Sequence, residues 1–270
     1  ITSAARWCLN RRIADIQSGI QRRTKHPTDR QIGGPGAESV LASKELTVKR
    51  QMLSLKDGTQ IFYQTVVAKD KDPTHVLVYI HGYTSQTDLY LETMSRLAKA
   101  GALVLMFDLP CHGRSDGLLT YVPDWWAFVD QVWEVIDLLV PMLRGTSKPL
   151  PVFVAGMSLG GGLTACLAVQ RPTFFNGVIL IAPMLCVSDA VKPPWIVQQV
   201  FKLFLAGLLP TWPMTPMKSL DGLDFRVAEQ GERYVKMNPL SMQGLKTRLG
   251  TAKSFGFTFP DWMETKLKEV

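Results

Sequence analysis

An apolar run, Val152-Phe153-Val154-Ala155, ends in Gly156-Met157-Ser158-Leu159-Gly160 and passes without a spacer into a small-residue stretch over residues 161–170. The first run reads as a buried parallel strand, and the second as a helix whose Gly161 and Gly162 permit close packing on it. A strand can turn into a helix this abruptly only through a backbone that larger residues resist, and Gly156 and Gly160 flank the joint. Ser158 would then sit at the apex with its hydroxyl exposed. Two other glycine-loop chemistries are excluded by the residues present. A phosphate-cradling loop needs Lys-Ser/Thr after its last glycine, but Leu163 follows Gly162; a dinucleotide fingerprint needs glycine where Ser158 stands.

The flanking pattern predicts the architecture around that joint. Residues 48–55 and 60–67 read as a hairpin about Lys56-Asp57-Gly58-Thr59, since Asp-Gly is a strong turn signal. Strands follow over residues 75–80 and 102–107, each leading into a helix, the second over residues 124–139 with Trp125 and Trp126 at its start. Residues 177–181 form a sixth strand. Strands alternating with helices of this length predict an α/β fold with a mostly parallel sheet covered on both faces. With 270 residues and 46% hydrophobic content, the chain can bury one large core. Beyond Pro183 the alternation stops. There Val197, Val200, Phe201, Phe204, Leu205 and Leu208 share one helical face opposite Gln198, Gln199 and Lys202, which suits a helical cap over the serine. That cap, residues 195–209, could line an acyl pocket, touch a lipid surface, or simply pack on the body.

Charge and cysteine content narrow the functional classes. The net charge of +7 is concentrated in residues 1–30, where seven Arg/Lys face only Asp15 and Asp29. Leu9, Ile13, Ile16 and Ile20 form one stripe of an amphipathic helix there, with Arg11, Arg12, Arg22 and Arg23 off it. Such a leader fits an organelle-targeting segment, a membrane-surface helix, or a helix packed on the body. Basicity therefore belongs to the leader, and the body carries no nucleic-acid signature. Cys8, Cys111, Cys166 and Cys186 have neither paired nor metal-ligand spacing, which points to free thiols in a reducing compartment. No metal and no cofactor is expected. No apolar run approaches the roughly 18 residues a spanning helix requires. The expected division is a basic leader and Gly/Pro linker over 1–45, a core over 46–183, a cap over 184–245, and a return toward the core over 246–270.

A serine hydroxyl is a weak nucleophile near neutral pH unless an oriented imidazole takes its proton. His26, His75, His81 and His112 all precede Ser158. His112 lies in the polar, turn-rich loop over residues 108–117 and His81 heads the loop after the third strand, so both read as loop-ordering residues rather than bases.

Taken together, Ile80-His81-Gly82-Tyr83, the loop over 108–117, Gly156-Met157-Ser158-Leu159-Gly160-Gly161, Asn238-Pro239-Leu240 and Thr247-Arg248-Leu249-Gly250-Thr251-Ala252 resemble the monoacylglycerol lipase and lysophospholipase-like serine hydrolases of the α/β-hydrolase superfamily. The last two segments are similar to the plant-type branch that includes caffeoylshikimate esterases. The resemblance runs from about residue 46 onward. It implies Ser158 as nucleophile at the elbow shaped by Gly156 and Gly160, with the backbone amides of Tyr83 and Leu159 as the oxyanion hole and His81 and Gly82 supporting the loop. It also implies an acid and then a histidine roughly 115 and 145 residues beyond the serine. Those positions lie past Val270, so the chain is expected to be a piece of a longer protein lacking the last two strands, and inactive by itself. The implied substrate is an acyl-ester lipid, the implied address cytoplasmic or peripheral membrane. Two alternatives stay open: a non-catalytic short form that binds lipid or a partner, and an acyltransferase using the same serine.

Overall fold

The computed structural model describes residues 36–145, 147–186, 195–200, 206–215 and 247–267. Strands β1 (Leu46–Ser54) and β2 (Gln60–Ala68) form the expected hairpin. Its turn uses Gly58 at φ 86° and an Asx-type bond in which the Thr59 N–H donates to Asp57 Oδ1 at 2.8 Å. Strands β3 (His75–Ile80), β4 (Ala102–Phe107), β5 (Val152–Met157) and β6 (Gly177–Ile181) are mutually parallel, and β2 joins β4 antiparallel. The sheet order is β1-β2-β4-β3-β5-β6. The mostly parallel sheet read from the sequence is the one observed.

The period-two alternation of β3 shows how the faces are filled. Val76, Val78 and Ile80 point into one apolar cluster with helices α3 (Trp125–Arg144) and α4 (Leu159–Gln170). Leu77 and Tyr79 point into the other, with α1 (Ala37–Leu41) and α2 (Leu91–Lys99). Both faces are thus covered, as parallel sheets require. Helix α1 differs from the sequence expectation of a linker up to residue 45. Ala37 and Val40 are buried against the second cluster, so the packed body begins ahead of β1. Helix α3 also outruns its predicted end at residue 139. Pro141 sits inside it, where proline forfeits one hydrogen bond near the terminus, and Val140 and Leu143 still reach the core.

Beyond β6 the described residues are short pieces: α5 (Trp195–Val200), α6 (Ala206–Leu208), and β7 (Pro213–Thr215) paired with β8 (Thr247–Arg248). Residues 201–205 of the predicted cap helix, the basic segment 1–30 and Asn238-Pro239-Leu240 lie outside the described residues. From β8 the chain continues as α7 (Leu249–Lys253), a π-turn over Ser254–Thr258, and α8 (Phe259–Leu267). This stretch packs back on the core. Phe259 stacks on Trp125 with centroids 4.1 Å apart, and Phe255 meets the same indole edge-on at 6.0 Å. No helix among the described residues is long and apolar enough to cross a membrane.

At the far side of the sheet, Val178, Ile179, Leu180 and Ile181 of β6 are all exposed, at 42–50%. Successive strand residues face opposite ways, so this last strand is part-exposed on both faces.

Candidate active site

Ser158 occupies the single residue between β5 and α4, at φ 55° and ψ −117°. A non-glycine side chain in that region costs of order 1–3 kcal/mol and persists only where its surroundings overdetermine it. Here they do. The Ser158 N–H donates to Ile181 O at 3.0 Å, and its carbonyl accepts from Gly162 N at 3.0 Å and Met184 N at 2.8 Å. The residue is exposed, and its hydroxyl does not cap the helix it begins.

The neighbouring glycines are sites where no Cβ fits. A Cβ on Gly160 would stand 2.1 Å from Ile80 O and 2.5 Å from His81 O, and one on Gly156 would stand 2.1 Å from Gly160 O. The start of α4 therefore lies directly against the end of β3. That contact brings Gly82 beside the serine: a Cβ there would sit 3.3 Å from both Met157 O and Ser158 Cβ. Leu159, fully buried, is the first residue of α4, so its N–H is among those a helix cannot satisfy internally. Tyr83 follows Gly82, half-buried, its ring edge-on to His112 at 5.5 Å and Phe255 at 5.2 Å. The structure thus gathers Ser158, Leu159, Gly82 and Tyr83 at one end of the sheet, with Gly156 and Gly160 permitting the approach.

Of the described histidines, His81 and His112 are bonded to backbone and His75 to a neighbouring side chain. His81 is fully buried, with Nδ1 2.8 Å from Gly82 O and Nε2 accepting from Leu109 N–H at 2.9 Å. Burial in this dry site lowers its pKa from 6.5 to about 4, so the ring is neutral at neutral pH. His112 Nδ1 lies 2.9 Å from Pro110 O, and His75 Nδ1 2.9 Å from Thr74 Oγ1.

Sequence reasoning missed the ionic cluster under the loop over residues 108–117. Asp88, fully buried, accepts from Arg50 Nη2 at 3.1 Å and Arg114 Nη2 at 2.6 Å. Asp108, also fully buried, accepts from the Thr87 N–H at 2.7 Å and the Arg114 N–H at 2.8 Å, while burial pushes its carboxyl pKa up. These charges come from β1, the turn before α2 and the 108–117 loop, and no local spacing connects them. These bonds hold a loop. Among the described residues no group of three or more His, Cys, Asp or Glu could hold a metal ion.

The family model described as serine aminopeptidase, S33, matches residues 71–252. Human monoglyceride lipase is 32% identical over 182 residues, 66% of this chain and 56% of its own. The caffeoylshikimate esterase of Arabidopsis thaliana is 27% identical over 198 residues, 72% of this chain and 58% of its own. The monoacylglycerol lipase of Mycolicibacterium smegmatis is 32% identical over 136 residues, 50% and 47% of the respective chains. The chain spans about half the length of these curated relatives. Among solved structures, a soluble variant of monoglyceride lipase from Saccharomyces cerevisiae, in complex with a substrate analog, superposes with a TM-score of 0.65 at 17% identity, covering 83% of this chain and 70% of that one. A Paleococcus ferrophilus monoacylglycerol lipase superposes with a TM-score of 0.58 at 25% identity, covering 77% and 72%.

Proposed function

The chain belongs to the serine aminopeptidase, S33, family and has the α/β-hydrolase fold of the monoglyceride lipases, and on that premise we propose that it is a serine carboxylic-ester hydrolase acting on monoacylglycerols or lysophospholipids. The observation that carries the reading is Ser158 itself, an exposed hydroxyl on a strained turn closed against Gly82. In the proposed reaction Ser158 Oγ attacks the acyl carbonyl carbon as its proton passes to a base. The carbonyl oxygen becomes an oxyanion beside the N–H groups of Tyr83 and Leu159. Collapse expels the protonated glycerol or glycerophosphate alcohol and leaves an acyl-serine. Water then adds to the acyl carbon, the serine recovers its proton, and the fatty acid departs. Two aimed donors in such a site are typically worth about 3–4 kcal/mol of barrier each. Exposed Ile196 (69%), Leu208 (70%) and Trp212 (41%) support a cap that touches a lipid surface.

Labelling with a fluorophosphonate probe tests the nucleophile in the full-length protein. Labelling that Ser158→Ala abolishes, together with release of fatty acid from monoacylglycerol or lysophospholipid vesicles, is the expected result; an unlabelled wild type overturns the assignment. The bonds of the three described histidines, to Gly82 O and Leu109 N–H, to Pro110 O and to Thr74 Oγ1, support a base supplied from elsewhere. Residues 1–270 alone should therefore turn over p-nitrophenyl esters at least about a thousandfold more slowly than a serine with its base in place. Rapid turnover that Ser158→Ala removes would contradict that expectation.

A further inference from the structure

Of the two backbone N–H groups in the oxyanion reading, Leu159 begins a helix, whereas Tyr83 lies in a loop and is anchored through its side chain. Its hydroxyl donates to Thr120 O at 3.2 Å. The same carbonyl accepts from Thr251 Oγ1 at 2.9 Å, across 131 residues of sequence. Thr251 Oγ1 in turn accepts from Val122 N–H at 2.8 Å, so this fully buried hydroxyl uses its one proton and one lone pair on the residues either side of Tyr121. Thr120 is itself held in the left-handed region at φ 55°, with its N–H on Cys111 O at 2.8 Å. A threonine carbonyl kept in that conformation will relax if its partners leave.

The segment carrying Thr251 is bonded on its other side to the pieces that follow the sixth strand. Leu249 N–H donates to Trp212 O at 3.0 Å and Gly250 N–H to Pro210 O at 2.8 Å. The Arg248 guanidinium spans both groups, from Nε to Leu119 O at 2.9 Å and from Nη1 to Thr211 O at 2.6 Å. Gly250 is pressed between them, since a Cβ there would meet Tyr121 Cε2 at 3.0 Å and Pro210 O at 3.2 Å. Phe255, one helical turn beyond Thr251, supplies the ring against which Tyr83 packs.

We propose that Thr251 is a positioning residue for the oxyanion site, acting through the shared Thr120 carbonyl and the Tyr83 hydroxyl to set where the Tyr83 N–H points. The seating of residues 210–212 and 247–255 is thereby transmitted to the reacting end of the sheet. This rests on the reading of Tyr83 as an oxyanion donor. Because the donor is displaced rather than removed, the loss is smaller than the 10²–10³ of a deleted donor, about tenfold in kcat.

The test uses the full-length protein with Thr251→Val, Thr251→Ser, Tyr83→Phe and the double variant Tyr83→Phe/Thr251→Val. Tyr83→Phe keeps the ring and the backbone N–H and loses only the hydroxyl. With a monoacylglycerol substrate, Thr251→Val and Tyr83→Phe should each lower kcat about tenfold with KM changed less than about twofold, and Thr251→Ser should restore kcat. The double variant should be little worse than either single one, because both act along one route. Hydrogen exchange supplies a readout that needs no turnover: peptides spanning residues 81–86 should exchange faster in both single variants, with β3 unchanged. Additive losses, an unchanged kcat, or unaltered exchange at 81–86 would overturn the proposal. Should Thr251→Val fail to fold, Tyr83→Phe and Thr251→Ser decide it. A wild type with neither probe labelling nor ester turnover would defeat the hydrolase reading instead, and the exchange arm would still report on the coupling.

Discussion

At His81 the two ring nitrogens face opposite partners, the Gly82 carbonyl and the Leu109 N–H, so the imidazole is neutral with its proton on Nδ1. The folded pKa of about 4 lies below the ordinary 6.5, so between these values the unfolded chain binds the proton and the folded one does not. Its contribution is therefore complete above about pH 6.5, shrinks as pH falls, and is gone below about pH 4, a span worth about 3 kcal/mol. Buried Asp108, with a raised pKa, acts with the opposite sign over its own range. A His81→Gln variant isolates the imidazole: its urea stability relative to wild type should improve steadily from pH 7 to pH 4.5, and a constant difference would contradict the assignment. A second residue-scale expectation concerns Gly160. An alanine methyl would collide with two backbone carbonyls that cannot rotate away, so Gly160→Ala should cost about 3 kcal/mol in a denaturation curve. Gly256→Ala, with nothing within 4 Å, should stay close to wild type.

Among the elements, α3 shows both what the chain announces and what it conceals. Asp124 caps it, with Oδ1 accepting from Trp126 N–H at 2.9 Å and Ala127 N–H at 3.1 Å. Asp124→Ala should lower stability by about 1 kcal/mol, measurable as a shift in urea midpoint at constant slope. The helix start at Asp124 is local and legible in the sequence, as are the Asp57-Gly58 turn, the strand over 75–80 and the glycines around Ser158, because each involves residues within a few positions. The continuation past Pro141 was not legible, since a proline near a helix end forfeits little and only the packing of Val140 and Leu143 repays it. Short α1, with its apolar pair Ala37 and Val40, offers too few residues for a periodic signal. The π-turn at Ser254–Thr258 and the meeting of Thr120 with Thr251 leave no local trace either, because they exist only when segments far apart in sequence come together. The ion pairs of Asp88 are hidden for the same reason.

At the scale of the whole molecule, the sheet formed by the described residues is guarded at one side and open at the other. β1, at one edge, carries Lys49 and Arg50, whereas β6 presents Val178-Ile179-Leu180-Ile181 with no charge or proline within it. Purified residues 1–270 should therefore self-associate with rising concentration, and Ile179→Lys should suppress that association. Light scattering coupled to size-exclusion chromatography would show a concentration-independent monomer for the unaltered chain if the expectation is mistaken. The bonds that fasten Ser158 also tie the reactive turn to this region, because its amide is anchored to Ile181, the last residue of β6, and its carbonyl to Met184 just beyond. A covalent reagent for the hydroxyl is consequently a gauge of assembly. The peptide Gly-Met-Ser-Leu-Gly survives heating unchanged, but the presentation of its serine does not, so the labelled fraction of a sample counts the molecules in which the sixth strand has docked.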